Sequence, residues 1–166
     1  DGFLDFNLNE LLFSIYLLCK MGKKPNIDWN KIKKGVFLVV SLGIIFDTKK
    51  RRILIARRES DPYLKKLRWG FPGGRPKYGK DLERDLERVL KERTGLKVKN
   101  LGAVFSRVLE ENKKILLIYY LCEVIGGKEK PDGDFVELKW VKPQDLQKHF
   151  ATSFDKRLKE YILNLK

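Results

Sequence analysis

Apolar and polar positions change period several times along this chain, and each change marks an element. Residues Val36 to Phe46 are apolar and β-branched with few interruptions, the pattern of a strand buried on both faces. Asp47-Thr48-Lys49-Lys50 breaks that run as a turn, and Arg52 to Arg57 is the returning strand of a hairpin. Ser60 to Lys66 is a polar loop with a turn at Asp61-Pro62. From Asp81 to Arg93 the apolar positions Leu82, Leu86, Val89 and Leu90 recur at helical spacing. Gly95 ends that helix where a left-handed cap is wanted, and Leu96 can pack back on its last turn. Two more strands, Val98 to Leu109 and Lys114 to Val124, flank the turn Glu110 to Lys113. A loop from Gly126-Gly127 to Asp134, carrying Asp132, leads into the strand Phe135 to Val141. Pro143 starts a short helix through Leu146, and Ser153 is placed to cap a final one from Phe154 to Asn164.

The first 34 residues read differently from residues 35–166, so the chain divides into an N-terminal helix with its linker and one main domain. Asn7 with Glu10 forms a capping box, and Phe6 with Leu11 the staple around it. The helix from Leu8 to about Lys20 is apolar nearly all round, which calls for burial on its own domain or against a second copy in a homodimer. It is too short to span a bilayer, and no basic leader or small-residue cleavage site marks a signal peptide, so no membrane partner is expected. The absent initiator methionine reads as a trimmed N-terminus. Gly22 to Asn26 breaks the helix, and Asp28 to Lys34 has room for one further helical turn.

Composition narrows the chemistry. Thirty-six Lys and Arg against 22 Asp and Glu leave a formal charge of +14, which favours an anionic partner such as a nucleotide, a polyphosphate or RNA. A lysine-rich surface serving solubility alone is the competing explanation. The single histidine, His149, excludes a histidine metal cluster and leaves no evident Ser-His-Asp triad. Cys19 and Cys122 stand apart in apolar runs with no C-x-x-C, as buried free thiols of a cytoplasmic protein would.

The stretch Trp69-Gly70-Phe71-Pro72-Gly73-Gly74, running through the helix to Gly95-Leu96, carries the strongest signal. Glycines 73 and 74 allow a backbone to lie close to a ligand, and a turn feeding a helix N-terminus offers free N–H groups to an anion. The stretch resembles the signature of the Nudix (MutT-like) hydrolase family, GX5EX7REUXEEXGU, with U a bulky aliphatic residue. Gly74 opens it, Arg88 takes the arginine, Leu90 the first U, Glu92 the first of the paired glutamates, and Gly95-Leu96 close it. Lys80, Val89 and Arg93 stand where the signature has glutamates. The resemblance implies an α/β fold, the Nudix α/β/α sandwich with a mixed sheet over residues 36–164, here with an added N-terminal helix. It also implies Mg²⁺-dependent hydrolysis of a nucleoside diphosphate linked to a further group, such as a nucleotide sugar, with Arg88 steadying the box carboxylates. Taking about 100° per residue, positions 89, 92 and 93 converge, but only Glu92 still brings a carboxylate there.

Two readings of these residues stay open. In one, a metal is held by a rebuilt set, Glu92 with Asp85, and with Glu137 or Asp134 available as a base; Asp81 lies on the same stripe of the helix. The plainer alternative is that Asp81 and Asp85 favour the helix start and pair with Arg84 or Arg88. In the other, the site has changed sign. Lys80 and Arg93, with Arg57, Arg58 and Arg75 around the same turn, then hold phosphate directly, making a nucleotide- or RNA-binding domain without catalysis. Surface residues on a decayed site are the alternative to that reading. Weak or absent hydrolysis is expected in either case.

Overall fold

A computed structural model describes residues 28, 30–61, 68–151 and 154–165. The expected N-terminal helix, Cys19 and Ser153 lie outside them. Two units are distinguished by their internal contacts, Asp1–Lys31 and Ile32–Lys166, and the second carries every element below.

Seven strands form one mixed sheet: β1 (Leu38–Asp47), β2 (Arg52–Arg58), β3 (Trp69–Gly70), β4 (Gly73–Gly74), β5 (Leu96–Val108), β6 (Ile115–Gly127) and β7 (Phe135–Val141). Strands β1 and β2 make the expected hairpin. Its turn is tightened by the Asp47 carboxylate, which accepts the N–H groups of Lys49 at 3.0 Å and Lys50 at 2.9 Å. The two strands stay paired only beside that turn, at Phe46↔Ile53 and Asp47↔Arg52, and then part. Strand β3 pairs with β2 and β4 with β1, so Trp69 to Gly74 fills the fork. On its far side β1 runs parallel to β6 from Leu38 to Phe46, β6 pairs antiparallel with β5, and β2 pairs antiparallel with β7.

The helix α1 (Leu82–Thr94) packs its apolar stripe on this sheet. Leu86 and Leu90 join Ile45, Leu54, Leu96, Val98, Tyr120 and Cys122 in one buried cluster. Leu90 is wholly buried above Gly43, where a Cβ would stand 2.8 Å from its Cδ1, so the glycine sets how closely the helix approaches. Removing a side chain like Leu90 costs about 2–5 kcal/mol. Gly95 takes φ 75° and sends its N–H to Lys91 O, the expected left-handed cap. A 3-10 helix (Pro143–His149) and α2 (Lys156–Leu163) complete the unit.

Two local expectations are corrected. Gly126 and Gly127 end strand β6 rather than opening a loop, because Gly127 pairs with Leu96 at φ 88°, where a Cβ would strike the Gly95 carbonyl. The cap of α2 is Asp155, whose carboxylate accepts the Arg157 N–H at 2.8 Å. No helix among the described residues is long and apolar enough to cross a membrane.

Candidate functional site

The wedge in the fork sets the site. At Gly73 a Cβ would collide with the Ser41 carbonyl oxygen, so this glycine serves the β4–β1 pairing rather than a ligand. At Gly74 there is room, and the nearest groups are the Arg93 guanidinium and Val89 Cγ1, both 3.7 Å from a Cβ placed there. Residues 75–80 then loop to the helix. Asp81 caps α1 by accepting the Arg84 N–H at 2.9 Å, and Asp85 accepts the Lys77 N–H at 2.9 Å. The Asp81 carboxylate therefore occupies the helix start that was expected to receive an anion, and Asp85 takes an N–H of the loop before it. Lys80 is exposed and Arg75 half-buried, and among the described residues neither side chain makes an ion pair.

Most of the nominated charges are paired with each other. Arg88 reaches Asp85 at 2.7 Å and Glu92 at 2.7 Å on its own helix. Burial works against its charge, but the bonds to the two carboxylates outweigh burial and raise its pKa. Arg57 holds Glu137 at 2.8 Å across the β2–β7 pairing. Arg58 meets Asp61 at 2.7 Å and Asp134 at 3.0 Å. Arg93 meets Asp134 at 2.8 Å and donates to the Gly73 carbonyl at 3.3 Å. An unbroken ionic chain, Asp61–Arg58–Asp134–Arg93, thus ends on the glycine wedge. Sequence reading took Asp61 only for a turn residue, although its i, i+3 spacing from Arg58 was a usable signal.

Comparison with known proteins fixes the family. A model of the NUDIX domain matches residues 37–162. The chain belongs to the Nudix family. It is similar to an ADP-ribose pyrophosphatase of Methanocaldococcus jannaschii, 30% identical over 164 residues that cover 95% of this chain and 94% of the relative. An 8-oxo-dGTP diphosphatase of Buchnera aphidicola subsp. Schizaphis graminum is 33% identical over 109 residues, 65% of this chain and 79% of that one. Among solved structures, a MutT protein from Methanosarcina mazei Go1 superposes with TM-score 0.59 at 16% identity, over 78% of this chain and 93% of that one. The α/β Nudix fold expected from the signature is the fold observed.

A Nudix hydrolase generally uses a divalent metal, and the donor set of this chain does not fit one. Mg²⁺ wants carboxylate oxygens that are free to bind it. Asp85 is buried and already taken by Arg88 and the Lys77 N–H. Asp134 is shared by two guanidinium groups, and Glu92 points to solvent on Arg88 with 61% of its side chain exposed. Val89 adds no donor. Among the described residues, no three Asp, Glu, His or Cys side chains converge as a metal set.

A groove opens on the other face of the sheet. Gly43 and Ile45 face α1 while Val40 and Leu42 line the groove, as alternation along β1 requires. Its floor is aromatic: Phe71 lies 5.8 Å from Tyr119 and 5.2 Å from Phe150, centroid to centroid. Arg58, Arg68 and Arg107 border it. Burial raises the Tyr119 pKa, with Arg107, whose Nε donates to the phenol oxygen at 3.3 Å, pulling the other way. Sequence reading passed over this groove, since its rings come from the fork, β6 and the segment after the 3-10 helix.

Proposed function

We propose that this Nudix domain binds a nucleoside diphosphate derivative in the aromatic groove, and that Mg²⁺-dependent cleavage of it is weak or lost. The observation that carries this is the Arg93–Asp134 pair at 2.8 Å, a cation held where the signature has a metal-binding glutamate. The groove supports the ligand class. Aromatic rings suit a base, and the bordering arginines suit phosphate oxygens. The names of the relatives, ADP-ribose pyrophosphatase and 8-oxo-dGTP diphosphatase, point to the same class.

The first of those relatives, matched over 95% of this chain, also favours a second reading, in which hydrolysis of such a substrate survives. Glu92 would then be the remaining box carboxylate, with Glu137 as a base after release from Arg57. One assay separates the two: ADP-ribose incubated with excess Mg²⁺, with AMP release followed over time. Binding without turnover supports the first reading. Turnover on the order of a few per second, ordinary for enzymes, returns the case to the hydrolase.

A further inference from the structure

Among the described residues, two of the cations around the glycine wedge converge. Arg57 is held by Glu137 and Arg88 by its own helix, while Arg75 and Lys80 pair with nothing among the described residues. Arg58 and Arg93 reach the two oxygens of one carboxylate, Arg58 Nε to Asp134 Oδ2 at 3.0 Å and Arg93 Nη1 to Oδ1 at 2.8 Å. Both guanidinium groups also rest over the Phe135 ring, 4.9 Å and 5.5 Å from its centroid. A shared carboxylate and a shared ring fix two planar forks side by side, although they come from β2 and α1.

Neither fork is used up. Arg93 spends Nη1 on Asp134 and Gly73, which leaves its Nε and Nη2 without a protein partner among the described residues. Arg58 spends Nη1 on Asp61 and Nε on Asp134, which leaves Nη2. Arg58 and Phe135 also line the aromatic groove, so the pair borders the groove through Arg58, with Arg93 joined to it across Asp134. Planar N–H forks match the oxygens of phosphate groups. The two aspartates cancel the two arginines formally, so the pair can stand together without a ligand.

We infer that Arg58 and Arg93, aligned by Asp134, form a clamp that takes the diphosphate of the ligand directly, with no divalent cation. The inference rests on the reading of this chain as a nucleoside diphosphate binder and adds which residues hold the diphosphate. Arg58 and Arg93 touch the ligand. Asp134 is a positioning residue.

Calorimetry on the full chain in EDTA tests it, with ADP, inorganic pyrophosphate and adenosine as separate probes. ADP and pyrophosphate bind, and adenosine binds more weakly than ADP. Arg93→Lys keeps the charge but loses the fork, and lowers affinity for both phosphate probes about ten-fold or more, the range for hydrogen bonds to charged groups, without changing that for adenosine. Arg93→Gln lowers it further, and thermal melting checks that both variants fold. Asp134→Asn separates positioning from simple repulsion: a carboxylate that only repels phosphate would give tighter binding on removal, whereas an aligning one gives weaker binding. Pyrophosphate binding that appears only with Mg²⁺, parental affinity in both Arg93 variants, or tighter binding in Asp134→Asn overturns the clamp. If ADP binds in EDTA with parental affinity in every variant, the clamp falls and the nucleotide-binding reading stands. If neither ADP nor ADP-ribose binds with or without Mg²⁺, both fall.

Discussion

Asp85 and Arg88 meet at 2.7 Å one turn apart on α1, with the carboxylate 3% and the guanidinium 35% exposed. Asp85 also accepts the Lys77 N–H, so one buried side chain ties the loop before the helix to the helix itself. Asp85→Ala leaves that N–H without its acceptor and Arg88 with Glu92 alone. It should lower unfolding free energy by about 2–3 kcal/mol, with Asp85→Asn milder because it keeps an acceptor. Glu92→Ala breaks an exposed pair and should cost less than about 1 kcal/mol. Urea denaturation ranks the three; Glu92→Ala as the most costly would contradict the assignment.

The Asp85–Arg88–Glu92 triad was legible because i, i+3 and i+4 neighbours meet on any helix. Most strands were legible from alternation, and α1 from its apolar stripe and Gly95. The ionic chain was not, since Arg93 and Asp134 are 41 residues apart and meet only after the sheet has brought β7 beside β2. Gly126 and Gly127 misled for a related reason. Paired glycines usually signal a turn, but here Gly127 lets two backbones close on each other inside a ladder. A long-range contact decides its conformation.

The two glycines of the wedge should respond unequally to the same change. Gly73→Ala drives a methyl into the Ser41 carbonyl and opens the β4–β1 pairing, a loss of about 3 kcal/mol. Gly74→Ala meets nothing nearer than 3.7 Å and should change stability by less than about 0.5 kcal/mol. Thermal melts of the two variants check the contrast, and equal losses would refute it.

Cys122 lies wholly buried in the cluster under α1, and burial pushes its thiol up to about 12, with Glu87 adding to the rise. A group raised in the folded state stabilises fully below its unfolded pKa and loses that contribution as pH rises through the folded value. The chain should therefore lose stability between pH 9 and about 12, at up to about 1.4 kcal/mol per pH unit from this thiol. Cys122→Ala should flatten that part of the curve. In the native chain at pH 8 the thiol should resist a thiol-reactive dye until denaturant is added; rapid labelling would show that the cluster opens more readily than its burial implies.

Side chains 89 and 93 lie one turn apart on α1 and both come within 3.7 Å of the same point above Gly74. Carboxylates at both would converge there with Glu92 beside them and with Asp134 released from Arg93. Val89→Glu alone should fail to create a metal site, because the new carboxylate would pair with Arg93. Arg93→Glu alone places a carboxylate against Asp134, and repulsion should destabilise the fold until a cation is supplied. Combining Lys80→Glu, Val89→Glu and Arg93→Glu should give Mg²⁺ binding visible by calorimetry. Turnover of ADP-ribose should then rise on the order of a hundred-fold over the unmodified chain, the scale on which one well-placed electrostatic group acts. The same variant should lose binding of pyrophosphate in EDTA, since its diphosphate site would then depend on the metal. A triple variant that binds Mg²⁺ no better than the parent would show that the missing carboxylates are not what keeps the metal out.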